Sequence, residues 1–189
     1  MKRRVVITGN PGVGKHTCAR IIAARLGAEI VDINAVAIEG SAIARKTGKG
    51  LDVDPKKLAR LLAKLLKSKK DLVIVGHLAP YVLKPAGISL VVVLRRSPYE
   101  LESTLEKRGY SYSKVRENLA SEILGVSLFD ALKTFGRRKV VEFDTTGTTP
   151  EDTCDRIVST LHKKTPRKLG IDWLSEVSQR DDMKRFFDY

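Results

Sequence analysis

The residues able to do chemistry are gathered in one early stretch, Gly9-Asn10-Pro11-Gly12-Val13-Gly14-Lys15-His16-Thr17. The spacing of Gly9, Gly14 and Lys15 is that of a phosphate-binding P-loop. Glycines let consecutive backbone N–H groups turn inward around an oxyanion, and the helix that follows adds its positive end. Lys15 then reaches the outer phosphates as a point charge. The loop is preceded by a β-branched run, Val5 to Thr8, and followed by small and aliphatic residues at helical spacing from Cys18 to Leu26, which is the context the motif requires. A nucleotide is therefore the expected ligand, held by Gly12, Val13, Gly14, Lys15, His16 and Thr17. One position departs from the pattern. The residue after the lysine is ordinarily Ser or Thr, whose hydroxyl ligates Mg²⁺; here it is His16, with Thr17 one step later. A neutral imidazole suits a hard cation poorly, so either His16 touches phosphate itself, or Mg²⁺ is held in the Thr17 and His16 region through water and the nucleotide.

The elements that must position this loop alternate. Apolar runs at Ala28–Asp32, Leu72–Val75, Ser89–Leu94 and Val140–Asp144 read as further strands, the second and third continuous enough to be buried on both faces. Between them, residues 33–49 read as a helical pair ending in a loop. Asp54-Pro55 starts a helix with leucines 58, 61, 62, 65 and 66 toward a core. Ser97-Pro98-Tyr99-Glu100 reads as a capping box, its helix stopped by Gly109. A second helix is expected from about Ser113 to Phe135, and Thr149-Pro150 opens one ending near Lys163. The pattern implies a three-layer α/β/α domain with a mostly parallel, five-stranded sheet. It would span residues 1–164, followed by a tail, 165–189, which carries Trp173, Phe186, Phe187 and Tyr189 and either folds back or docks on a partner.

Composition limits the rest. Lys and Arg number 35 against 22 Asp and Glu, a formal net charge of +13. Such a balance favours standing attraction to a polyanion such as RNA, or equally a surface tuned for heat, which the single glutamine, Gln179, also fits. No leader is expected, because the first apolar run stops at Gly9, and no run approaches a membrane span. Cys18 and Cys154 lack metal-ligand spacing and read as core thiols of a cytoplasmic protein.

The P-loop, the strand-end His77, and Arg108-Gly109-Tyr110 followed by Lys114, Asn118 and Glu122 resemble the small adenylate kinases of the isoenzyme-six type; Ile171-Asp172-Trp173 resembles the tail of the archaeal relatives. The resemblance covers roughly residues 4 to 163. It implies a P-loop NTPase fold and a nucleoside monophosphate kinase that transfers a phosphoryl group from ATP, with Mg²⁺, to AMP or another monophosphate. It further implies a side ATPase activity and a part in small ribosomal subunit maturation, through the platform ribosomal protein and rRNA. The alternative is an ATP-switched assembly factor with little kinase activity. Residues 32–52 would form the monophosphate-binding flap and 108–118 the lid. Lys15, Arg108 and His77 would be catalytic, with Arg108 lying over the transferring group. Two positions differ from the family: Val75 stands where a magnesium-organising Asp is usual, leaving Asp32, Asp52 and Asp54 as substitutes, and the flap arginine is missing unless Arg45 supplies it.

On their own chemistry these residues keep plainer alternatives. Arg108 could complement a helix dipole, and His77 could be a core histidine rather than a group that orients water. Asn118 and Glu122, one helical turn apart, could tie the lid to its base. Arg95-Arg96, at another strand end, could contact phosphate, though one of them should pair with a carboxylate. His162 reads as a surface residue. Lys67-Ser68-Lys69-Lys70, Arg137-Arg138-Lys139 and Lys163-Lys164 read as solvated ends, or together as an RNA-facing rim. A kinase for another small metabolite, such as shikimate, is not supported, because this chain shows no constellation of acceptor-binding arginines in the flap.

Overall fold

Val- and Ile-rich runs line up side by side: those at residues 5–8, 72–75 and 90–95 are buried along their whole length, as in a sheet covered on both faces, while the run at 29–32 lies part-exposed at its edge. In a computed structural model describing residues 3–47, 50–67, 70–162 and 169–187, the elements in chain order are β1 (Arg4–Thr8), α1 (Lys15–Leu26), β2 (Glu29–Asp32), α2 (Ile33–Glu39), β3 (Ile43–Thr47), β4 (Gly50–Val53), α3 (Pro55–Leu65) and β5 (Leu72–Val75). They continue with α4 (Ala79–Val82), β6 (Leu90–Arg95), α5 (Pro98–Lys107), α6 (Tyr112–Ile123), α7 (Val126–Phe135), β7 (Val140–Asp144), α8 (Pro150–His162), α9 (Trp173–Gln179) and α10 (Met183–Phe186). The main sheet has the order β2-β5-β1-β6-β7, every pair parallel. β1 is central, with Val6 opposite Ile74 on one side and Val91 on the other. Successive side chains of a strand point to opposite faces. Val5 and Ile7 accordingly join Ile22, Leu101, Leu119 and Ile157 in one core, while Val6, Val91 and Val93 join Ile33, Leu58, Leu62 and Ala131 in the other. The expected three-layer, five-stranded α/β/α arrangement is what forms.

Four local expectations are corrected. Residues 33–49 are not a helical pair: α2 ends at Gly40, and β3 and β4 form an antiparallel hairpin across the remainder. Its β-branched residues, Ile43, Thr47 and Val53, favour a strand pair over a second helix. The stretch Ser113–Phe135 is two helices, because Gly125 takes φ +67° and turns the chain between α6 and α7. Ser97 makes no side-chain cap; Glu100 instead pairs with Arg96 at 3.0 Å. Of the α3 leucines, Leu58 and Leu62 are buried but Leu65 is exposed. By contrast Asp54 caps α3 as expected, accepting from Lys56 N and Lys57 N at 2.9 and 3.0 Å.

The C-terminal segment folds back. Trp173, Val177 and Phe186 are buried in the same core as α5 and α6. Tyr99 meets Phe186 edge to face with ring centres 5.2 Å apart and donates to Asp182 at 2.8 Å. Cys18 on α1 and Cys154 on α8 are both buried, the Cys154 thiol 3.7 Å from the Cys18 carbonyl oxygen. Among the described residues no helix is long and apolar enough to cross a membrane. The side chains of Arg45 and His162, and residues Lys163, Lys164 and Tyr189, lie outside the described residues.

Candidate nucleotide site

β1 ends at Thr8, where the chain must leave the sheet between β5 and β6, at the point where the strand order runs outward in both directions. Ligands of open parallel sheets bind there. Gly9 makes the exit possible: at φ +132° it lies so close to β6 that a Cβ would stand 2.4 Å from the Leu94 carbonyl oxygen. Gly14, at φ +91°, forms the N-cap of α1. The loop between them leaves its amides facing a hollow of about 210 Å³ lined by Pro11, Gly12, Gly14, Lys15, His16, Thr17, Asn34, His77, Arg108 and Tyr110. Val13, expected among the nucleotide-holding residues, does not line this hollow, since its side chain is buried in the core.

Lys15 is 7% exposed and donates to the Asn10 carbonyl at 2.7 Å. Burial, then the Arg108 charge nearby, pulls its ammonium down to about 8, against an opposing pull from Glu122 and Asp32. A cation is thus held in a dry place beside a second cation, an arrangement that a polyphosphate would relieve. Asp32 closes the other side. One carboxylate oxygen caps α2, accepting from Asn34 N at 2.8 Å, and the other lies 3.0 Å from His16 Nε2. His16 is therefore held by a carboxylate at the loop's mouth. Of the three aspartates considered in place of Val75, Asp54 is occupied as a helix cap and Asp52 lines a different cavity. Asp32 alone stands beside the phosphate loop.

That different cavity, of about 920 Å³, opens between the α2–β3–β4 region (Ile38, Ile43, Asp52, Val53), His77 just past the end of β5, Tyr81 on α4, and the face of α6 bearing Lys114, Glu117, Asn118 and Ser121. It shares Pro11, Asn34, His77 and Tyr110 with the smaller hollow, so the two adjoin. His77 reaches this junction because Gly76 allows close approach to α2; a Cβ there would stand 2.7 Å from Ile33 Cβ. The His77 ring is exposed to the cleft, and burial by its walls and then the Lys15 charge lower its pKa, which favours neutral imidazole. Tyr81 donates to Asp130 on the cavity wall, and this bond and partial burial push its phenol up to about 12.

The structure thus brings Lys15, His16, Thr17, Arg108 and His77 to one place. Arg95 and Arg96 are elsewhere: Arg95 is buried against Glu122 (2.7 Å) and Glu142 (3.3 Å), and Arg96 pairs with Glu100. Asn118 lines the larger cavity and bonds the Lys114 carbonyl at 2.6 Å. Sequence reasoning missed Asn10, whose buried amide is bonded on all sides, and the Tyr81–Asp130 pair. Asn10 lies inside the loop motif at a position the motif leaves free, so no pattern marked it.

A parallel sheet with a glycine-rich loop and an invited lysine at the end of its central strand is the architecture of P-loop kinases. A gluconokinase from Sinorhizobium meliloti 1021 has this fold, with a TM-score of 0.61 at 19% identity over 85% of this chain and 91% of its own. So does a shikimate kinase from Bacteroides thetaiotaomicron, with a TM-score of 0.57 at 17% identity over 85% and 99%. A family model described as an AAA domain matches residues 5–125. Over 170 residues the chain is 39% identical to a Pyrococcus furiosus protein described as "Putative adenylate kinase", covering 89% of this chain and 90% of that one. The chain belongs to this adenylate kinase-like family.

Proposed function

We propose that the protein is a nucleoside monophosphate kinase of the adenylate kinase type, moving the γ-phosphoryl group of ATP to AMP or a related monophosphate. The observation that carries this reading is the pair of adjoining hollows, one at the phosphate loop and one large enough for a second nucleotide. Their shared wall is where two phosphate chains would meet end to end. Lys15 and the loop amides would hold the donor phosphates, and Arg108, exposed at the rim, would fold over the transferring group. Phosphoryl transfer asks mainly for alignment and charge stabilisation, which these groups supply. The residues also suit Mg²⁺. Among the described residues no three His, Cys, Asp or Glu form a metal cluster, but magnesium commonly takes one carboxylate with phosphate oxygens and water. Asp32 and the Thr17 hydroxyl would be the protein's share, and the ion would neutralise charge on the phosphates.

Neutral His77 at the junction could orient water, which supports a slower ATPase when the acceptor is absent. The test is a coupled assay for ADP with and without AMP, with the product labelled from AMP. Formation of ADP from AMP is expected; ADP formed only from ATP would refute kinase action. A second reading, an ATP-switched factor in small-subunit maturation that binds the platform ribosomal protein and rRNA, draws on the net charge of +13. The aromatic tail gives it less support, since Trp173 and Phe186 are buried against the domain. Retention of the platform protein in a pull-down, with an RNA component that weakens steeply with salt, would support it.

A further inference from the structure

Glu122 is fully buried, yet its carboxylate joins four parts of the chain. One oxygen accepts from the Asn10 amide at 2.6 Å. The other accepts from Arg95 Nε at 2.7 Å, Arg96 N at 3.1 Å and the Trp173 indole N–H at 3.1 Å. The Asn10 side chain is held on its other side by the Ser121 and Ser127 hydroxyls, at 3.0 and 3.2 Å. Its main-chain carbonyl is the one that receives the Lys15 ammonium. Replacing a buried ionic network with apolar side chains commonly costs nothing or adds stability, so its presence is weak grounds for a purely structural purpose. What this network does that apolar packing would not is fix the orientation of one loop residue.

We propose that Glu122 is a positioning residue for the phosphate loop, acting through Asn10, and that Trp173 on the same carboxylate makes the C-terminal segment respond to the state of that loop. The inference rests on the reading that the loop binds nucleotide phosphates. When Lys15 exchanges the Asn10 carbonyl for a phosphate, the loop loses the bond that closes it. Asn10 must then hold its place through Glu122, Ser121 and Ser127. Ser121 and Glu122 sit on α6, whose earlier residues Lys114 and Asn118 line the larger cavity. A shift of α6 on filling of either cavity is therefore felt at Trp173.

Trp173 is the only tryptophan in the chain, so its emission reports on this point alone. The full-length protein is titrated with magnesium-ATP by calorimetry and by tryptophan emission. The expected result is an emission change that saturates with the calorimetric binding curve. Glu122→Gln keeps an oxygen toward Arg95 and Trp173 but sets an N–H₂ group against the N–H₂ of Asn10. Its ATP affinity should fall about tenfold, the upper end of one hydrogen bond's worth, and its emission response should disappear. The KM for ATP should rise while the KM for the acceptor stays within about twofold, a split that general loosening would not give. Should Glu122→Gln not fold, Ser127→Ala tests the same arm without touching the ion pairs, and a two- to tenfold loss of ATP affinity is expected, on the order of one hydrogen bond. ATP binding with unchanged Trp173 emission, or undiminished affinity in these variants, overturns the proposal and leaves the kinase reading standing. No ATP binding by the wild-type chain overturns both.

Discussion

Replacing Lys15 with Met should stabilise the empty protein while abolishing its ligand. The lysine's proton affinity drops from 10.5 to about 8 on folding. At about 1.4 kcal/mol for each tenfold change, holding the charged form in the site costs roughly 3 kcal/mol. Met keeps most of the side-chain volume and has no charge to desolvate, but it leaves the Asn10 carbonyl without its donor, a loss of about 1–2 kcal/mol. The net gain should be roughly 1–2 kcal/mol at pH 7, or about 2–8 °C in melting temperature for a chain of this size. The pH dependence makes the reasoning sharper. Below pH about 8 both folded and unfolded chains carry the proton and the cost is present in full. Between about 8 and 10.5 the unfolded chain keeps the proton that the folded chain has lost, so the wild type gains stability from this group as pH rises. Differential scanning calorimetry of both proteins at pH 7 and at pH 10 measures this directly. The Lys15→Met advantage should shrink toward nothing at the higher pH, and magnesium-ATP should raise the melting temperature of the wild type only. A variant that melts below the wild type at pH 7, or whose advantage is the same at both pH values, refutes the argument.

Other expectations follow from named contacts. Arg95→Ala strands Glu122 and Glu142 as buried, uncompensated carboxylates and should lose about 3–5 kcal/mol in urea unfolding. Gly9→Ala meets both an unfavourable φ and the Leu94 carbonyl, so it should lose at least about 1–3 kcal/mol and its ATP affinity, seen by calorimetry and unfolding together. Arg108→Ala removes an exposed side chain; its melting temperature should stay unchanged while kcat falls about 10³-fold or more, if it acts as arginine does on transferring phosphoryl groups. Because phosphate contact restores the Lys15 proton, ATP affinity in the wild type should fall as pH rises above about 8, by up to about tenfold per pH unit, measured by calorimetry.

The layered sheet and the loop at the end of β1 were legible because their signals are local: continuous β-branched runs, a fixed glycine spacing, and helix starts such as Asp54-Pro55. The hairpin of β3 and β4 was not, since its strands satisfy each other away from the main sheet and carry only weak alternation. The α6–α7 break turned on one glycine inside an otherwise helical pattern. In the site, Lys15 announced itself by motif, whereas Thr17 stands one place past the motif's hydroxyl, and the partnership of Asp32 with His16 joins residues on different elements and could be seen only once β2 lay beside β5. The Asn10–Glu122–Trp173 connection spans more than a hundred residues and leaves no periodic trace. The sequence marked Glu122 by resemblance and one helical turn from Asn118, but nothing in that spacing said it would face the loop instead of the lid.

The placement of β1 in the middle of the sheet has a bearing on how the chain is born. During synthesis β1 emerges first but has no neighbour until β5 and then β6 arrive, roughly seventy and ninety residues later. Such distant pairing slows folding. The carboxylate that steadies Asn10 comes later still, and the indole that shares it comes 51 residues after that. A nascent chain halted before Trp173 would therefore carry a complete glycine loop without this last partner of the carboxylate that steadies it.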